Sequence, residues 1–415
     1  MGHKSAGGRG DLFQMTTAMD VNAIVAQLTR TFAQSGGIPS ADDRKSEVAM
    51  YEELKNHGDV HLVIQIGAEL TTRTDLLIQA QLMGYSVLQH VAGNRWDQLV
   101  PEQKDSILGL CFKLLEGHCL SEGSAGGLQG GASFALRSKC AVLFAIVLKR
   151  HGAVYANESI RRLIGDEARY RESERTSALA TYHAVVCMIF RYLVDEVYQF
   201  AGDMSGEHAR DMLACTSSWI PEILRFVEGA IEANYAVYSN DAENKDSYFA
   251  VKSALESGAL FAEVAPASSM FVSGIIKAAG YFIRQDALEE LRDISCGLLK
   301  SVGSRKQTAD ENIDDFRRAM QEVGVFLTTI ASEILSKANA SERLSYNGDD
   351  EDFGSDVVDA MVDLGKTHLL VAFVDDASRF AFLEHMLSFA KHPYLPLSGK
   401  ALGLWVKLLQ DSATI

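Results

Sequence analysis

The chain has 415 residues, with 39 Lys and Arg against 55 Asp and Glu, a formal charge of −16 and a pI near 5.2. With 47% hydrophobic and 23% charged residues it has ample apolar material to bury, which excludes wholesale disorder. The acidic balance repels phosphate and argues against a general nucleic-acid-coating protein.

Only 6 prolines occur, and since proline is costly inside helices their scarcity favours a helix-dominated chain. Cys111, Cys119, Cys140, Cys187, Cys215 and Cys296 lie in mostly apolar stretches without a framework spacing. They read as reduced core residues of an intracellular protein. No run approaches ~18 uninterrupted apolar residues, so no membrane insertion is expected. The polar, Gly-rich start lacks the apolar core of a secretory signal, and residues 1–17 are expected to form a disordered tail.

In chain order, Asp20 is placed to cap a helix carrying Val21, Ile24, Val25, Leu28 and Phe32 on one face. Ser40 opens a second helix with Val48, Tyr51 and Leu54 on one side, and Gly58 lies just past its end. Further helices are predicted from about 61 to 70, from about 74 to 91, and from Pro101, where proline suits a first turn. The stretch 121–133 (SEGSAGGLQGGAS) reads as a loop. Helices resume at about 134–149, 177–200 and 221–235, then 249–263, 268–283, 286–301, 311–338, 376–390 and 398–410. Polar stretches at 239–247 and 347–356 read as solvated acidic linkers.

No alternating strand pattern stands out, and the tally is about fourteen to sixteen amphipathic helices with short connections. Helix pairs of ~40 residues without a strict signature describe an all-α fold, a HEAT-repeat α-solenoid. Such an array is a right-handed superhelical stack of antiparallel helix pairs. Periodicity alone leaves a compact helical bundle as the alternative.

A search for chemistry finds little. The Gly-rich stretch lacks the Gly-Lys-Ser/Thr of a phosphate loop, and Cys111, His118 and Cys119 have no second ligand cluster at zinc spacing. There is no Gly-x-Ser-x-Gly elbow, His-Glu-x-x-His helix or Cys-x-x-Cys pair. Arg161, Arg162, Arg169, Arg171 and Arg175 are interrupted by acids and read first as a solvated face with intrahelical pairs. A non-enzymatic binding protein without metal or cofactor is the expectation.

Two stretches carry a family resemblance. Ala18-Met19-Asp20-Val21-Asn22-Ala23 is followed by Met83-Gly84-Tyr85-Ser86-Val87-Leu88-Gln89-His90-Val91 and then Arg95-Trp96. Far downstream, Phe382-Leu383-Glu384 leads through His392-Pro393 to Trp405. Between them, Leu193 to Phe200, Ile223 to Asn234 and Ile294 to Asp310 fit the same order. The chain resembles the amino-terminal part of the karyopherin-β exportins, most closely the exportin-five type (HASTY in plants). Physically, Gly84 would let helices approach closely, and Trp96 would fill space beside a helix end.

The resemblance implies a nuclear export receptor that shuttles between nucleus and cytoplasm. Its implied partners are RanGTP, structured RNA (microRNA precursors) or protein cargo, and nuclear pore proteins. It places the Ran-binding repeats in 18–152 and further repeats in 153–415, with inner helices at about 43–56, 73–92 and 132–151. Glu47, Tyr51, Gln81 and Tyr85 are the candidate Ran contacts, on the expectation that they face solvent, although Tyr51 also lies on the apolar stripe. Tyr85→Ala is then expected to weaken Ran binding without unfolding the chain.

Three departures stand out. Family members are much longer, so the chain is expected to be an incomplete receptor. Lys149-Arg150-His151-Gly152 replaces a Trp-Pro turn, and the Gly-rich 121–133 stretch is an insertion. The competing reading is a generic HEAT-like interaction scaffold without a Ran or RNA role. A hydrolase with a hidden site in the helical core is a third.

Overall fold

The computed structural model describes residues 21–22, 25–26, 41–120, 130–173, 176–286, 288–340 and 348–412. The described residues are helical throughout, without strands, and divide into two compact units. The first takes the chain up to Gly117 together with 121–150, and the second takes 118–120 together with 151–415. The expected cap at Asp20, most of the helix it opens, and Ser40 lie outside the described residues.

The first unit contains α1 (Ala41–Lys55), α2 (Val60–Thr72) and α3 (Ile78–Asn94), then most of α4 (Pro101–Leu120) and α5 (Gly130–His151). Asp59 starts α2 because its carboxylate accepts the otherwise orphaned amides of His61 (2.9 Å) and Leu62 (3.2 Å). The turn before α3 runs further than the periodicity predicts. Arg73 and Asp75 pair across it, and the helix begins only after Leu77. Helices α2 and α3 then cross antiparallel at two glycines. A Cβ at Gly84 would lie 2.7 Å from Leu70 Cβ and 3.0 Å from the Gly67 carbonyl oxygen. One at Gly67 would lie 2.8 Å from Leu88 Cγ. Gly84 thus permits the close approach expected of it.

Arg95 closes the far end of α1, donating to the carbonyls of Lys55 (3.1 Å) and His57 (2.8 Å). Beside it Trp96 is buried, at the start of a single 3-10 turn. Gln89 donates to the Lys139 carbonyl (2.9 Å) and Arg150 to that of Gly93 (2.7 Å), tying α3 to α5. Residues 130–133, expected as loop, are the first turn of α5, and 121–129 lie outside the described residues.

The second unit is a two-layer array. One layer is α6 (Ala153–Gly165), α9 (Gly206–Asn240), α11 (Ala267–Val272) with α12 (Ile275–Phe282), α14 (Ile313–Ala340) and α16 (Asp376–Ala390). The other is α8 (Thr176–Tyr198), α10 (Lys245–Val264), α13 (Glu289–Ser304), α15 (Gly348–Ala372) and α17 (Leu395–Ser412). The short α7 (Glu167–Arg171) packs between α6 and α8. Within each layer a helix packs on its predecessor and its successor, and sequential helices pack across the layers. That is the solenoid arrangement, in which each repeat buries its apolar face only against its neighbours. First-layer helices begin at Ala153, Gly206, Ala267, Ile313 and Asp376, so each repeat exceeds the ~40 residues expected.

In the second unit, further element boundaries differ from the sequence reading. Pro221 lies inside the 35-residue α9 instead of starting a helix. The expected 268–283 helix breaks at Gly274, whose φ of 83° is left-handed and so suits glycine. The linker expected at 239–247 shrinks to 241–244, because Asn244 caps Ser247 N (3.1 Å) and starts α10 early. The 347–356 stretch is helical from Gly348 and opens α15, which buries Phe353, Val357, Val358, Met361 and Leu364. Acidic residues suit the positive end of a helix dipole, so a charge run there is a start signal as well as a loop signal.

Helix α8 is long and apolar enough by composition to cross a membrane. Its apolar side chains are buried in the array, Val185, Val186, Ile189 and Phe190 among them, as expected of a core helix. His183, on the same helix, is fully buried. Asn234 of α9 donates its amide to His183 Nδ1 (2.7 Å), which leaves Nε2 to donate to Glu167 (3.2 Å). That bond, with a second from Arg171, holds the Glu167 carboxyl down at about 2 against its partial burial.

Two outcomes are expected. Gly84→Ala lowers the urea-unfolding free energy by about 1–3 kcal/mol, because the added methyl meets the backbone of α2 as well as side chains. Glu167 has a depressed carboxyl, so its stabilisation is complete above about 4.5 and is lost as pH falls from there toward about 2. Glu167→Gln removes that part of the acid dependence, which urea midpoints measured across this range will reveal.

Candidate partner-binding surface

Helix α1 buries Met50 and Leu54 and turns Lys45, Val48, Ala49 and Glu52 to solvent. The apolar stripe predicted through Val48, Tyr51 and Leu54 is therefore rotated. Val48 is 60% exposed and Tyr51 sits half-buried at the edge of the face. Tyr51 is held from two sides. Its hydroxyl points at the Ser86 carbonyl of α3 at 3.5 Å, and the Lys55 ammonium lies 5.2 Å from its ring centre. Lys55 also pairs with Glu52 one turn back. The result is a helix face carrying an aliphatic side chain, an aromatic edge and both signs of charge.

The four predicted contacts separate on this geometry. Tyr51 stands at the exposed face. Glu47 lies on α1, and its side chain is outside the described residues. Gln81 and Tyr85 do not face solvent, which corrects the expectation for both. Gln81 is buried and donates to the Leu76 carbonyl at 2.8 Å, closing the turn ahead of α3. Tyr85 is 1% exposed, with its hydroxyl hydrogen-bonded to the Cys140 thiol and Cys111 close by. Burial pushes its phenol well above the ordinary value. Both residues belong to the packing between α3 and its neighbours.

Sequence reasoning missed Lys45, Val48 and Glu52 as surface residues. The usable signal was the i, i+4 pair Met50 and Leu54, whose opposite face is 45, 48 and 52.

Elsewhere the polar groups serve structure. Arg162 pairs with the capping Asp166 (3.3 Å) and Arg171 with Glu167 (2.6 Å), each one turn apart on a solvated face, and Arg175 lies outside the described residues. Burial pushes the Cys140 and Cys296 thiols to about 12 and raises Cys111 and Cys187 as well, which suppresses thiolate chemistry. Among the described residues no group of three His, Cys, Asp or Glu side chains is placed to hold a metal.

An open groove of about 510 Å³ lies between α14 and α16, lined by Thr328, Ser332, Asp375, Ser378 and His385 among others. His385 Nδ1 donates to the Ala381 carbonyl (2.6 Å), and its Nε2 meets Ser332 Oγ at 2.8 Å. Ser332 also reaches the Thr328 carbonyl at 2.9 Å, while Asp375 caps Ser378. The Ser–His pair is thus a strut between two helices. A backbone carbonyl, where a catalytic triad has a carboxylate, orients its imidazole.

No protein-family profile matches the chain. Among solved structures it is similar to the karyopherin Kap121p, with a TM-score of 0.47 and 13% identity over 93% of this chain and 36% of that one. For Kap121p bound to the SUMO protease Ulp1p the TM-score is 0.46 and the identity 14%, over 94% and 41% of the two chains. Among curated proteins it is 24% identical to Protein HASTY 1 of Arabidopsis thaliana over 379 residues. The chain is homologous to HASTY 1 over 90% of its own length and spans 30% of that protein.

Proposed function

We propose that this chain is a non-enzymatic segment of a nuclear export receptor of the exportin type, one that binds RanGTP and a cargo. The observation that carries the reading is the homology to HASTY 1 over 379 residues, which runs through both compact units. The solvent face of α1 supports it, because it offers a mixed apolar and charged helix surface outside the core. Glu47 and Tyr51 are the proposed Ran contacts. Gln81 and Tyr85 act behind them by holding α3.

A repeat array couples its ligands through its joints. Ran and cargo each favour one arrangement of the repeats, so each raises the affinity for the other by the same factor. Cargo is a protein or a structured RNA such as a microRNA precursor. The charge of −16 and the intrahelically paired arginines set this segment against phosphate, so protein is the cargo assigned to it first. Contact with nuclear pore proteins and shuttling between nucleus and cytoplasm follow from the same reading.

The test is binding of the purified chain to Ran loaded with GTP and, separately, with GDP. The expected outcome is at least about tenfold preference for the GTP form, worth about 1.4 kcal/mol. Equal or absent binding to both forms overturns the Ran reading and leaves a plain interaction scaffold. Tyr51→Ala and Glu47→Ala are expected to weaken the GTP-form complex by about 1–2 kcal/mol with the urea midpoint unchanged. Tyr85→Ala instead lowers stability by about 3–5 kcal/mol, because it empties a fully buried ring site.

A further inference from the structure

Ion pairs join each helix of the second layer to the next. Arg191 of α8 pairs with Glu256 of α10. Lys252 of α10 pairs with Glu290 of α13, whose carboxylate also accepts the Tyr248 hydroxyl at 2.8 Å. Lys300 of α13 lies 3.6 Å from Asp359 Oδ2 of α15, and Lys400 of α17 lies 2.6 Å from the same oxygen. Lys400 also reaches the Ser355 carbonyl at 3.5 Å. The first layer is joined differently. Trp219 donates to Asn157, Tyr235 meets Tyr281 and Ser332 meets His385, each at 2.8 Å, and the ion pair Arg284–Glu333 (3.1 Å) joins α12 to α14.

Asp359 differs from the other carboxylates of the ladder because it serves two neighbouring helices at once. Two ammonium groups on one oxygen lie well inside a Debye length of each other, about 10 Å at ~0.1 M salt. With the carboxylate in place, α13 and α17 are both drawn to α15. Without its charge, the same two cations repel. We propose that Asp359 is an electrostatic clasp that sets the spacing of α13, α15 and α17, so that the curvature of these repeats depends on ionic strength. On the opposite layer, the Ser332–His385 contact holds α14 to α16 through a hydroxyl. A spacing change confined to the second layer therefore alters the rotation between repeats, from which the curvature of such an array follows. At ~1 M salt the Debye length falls to about 3 Å, below the span of the Lys300 arm.

Double electron–electron resonance on the whole chain tests this. Spin labels go on Gly297→Cys of α13 and Gly399→Cys of α17, where an added Cβ meets no atom within 4 Å. A Cys215→Ser background removes the half-buried native thiol, and the other cysteines are buried. Asp359→Asn is expected to widen the low-salt distance by about 2–4 Å, a helix shift of about 1–2 Å at each of the two junctions. Added salt then narrows this variant, by screening two like charges, and widens the parent chain, by screening two ion pairs. Adding Lys400→Gln to Asp359→Asn removes the like pair, so the double variant takes back part of the widening and no longer narrows with salt. Circular dichroism matching the parent chain verifies that the variants are folded. A low-salt distance in Asp359→Asn equal to that of the parent overturns the proposal. A salt response of the same sign in the two chains overturns it equally.

Discussion

Burial of each helix flank against the next helix of its own layer is the interaction on which the second unit depends. α10 lies between α8 and α13, and α13 between α10 and α15. No single helix has a core of its own, because its apolar side chains are shared with the repeats on either side. Stability in such an array is a sum of repeat terms and neighbour terms, so loss at one interface is felt first by the adjoining repeats. The glycines at the tightest contacts follow from this. A Cβ at Gly280 would lie 2.3 Å from the Phe326 ring, and one at Gly365 would lie 2.9 Å from Leu404 Cδ1.

The joints between helices are held by polar groups that leave few backbone groups orphaned. Asp59, Asn244 and Asp375 accept helix-start amides. Glu311 accepts the buried amide of Ser268 at 2.6 Å, and His368 donates to the Arg305 carbonyl at 2.6 Å where α15 departs from helical geometry. These contacts set the angles between successive helices, and angles are what a repeat array must adjust when it closes on a ligand. The polar residue types at these joints are spent on packing and capping.

The same division explains the two buried members of the predicted surface. Gln81 and Tyr85 belong to the helix that bears the family-like stretch, yet their polar atoms point at Leu76 and Cys140. A tyrosine in a motif marks an interface between helices as readily as one between proteins, since its ring is apolar and its hydroxyl needs one partner. In the groove between α14 and α16, Thr328 and Thr329 turn their hydroxyls back on their own helix, and Ser332 meets His385 across it.

The sequence by itself determined the helical class and most helix positions, while the contacts between helices decided the two-layer array over a compact bundle. The 3.6-residue period survives any tertiary context in which one face is buried. It also carried the order of the stretches that resemble the exportins, because collinear spacing needs no coordinates. Only the tertiary structure decided which face of α1 is wet, that Gln81 and Tyr85 are dry, and that α15 begins in an acidic run. The reason is physical: period and propensity fix that a stripe exists, but a residue at its edge, such as Tyr51, is buried or exposed by a neighbour brought from elsewhere in the chain. Helix α17 is the sharpest case, since apolar residues are spread around it in sequence and only the packed array shows that Leu397 and Leu404 are buried while Leu402 and Leu409 are exposed.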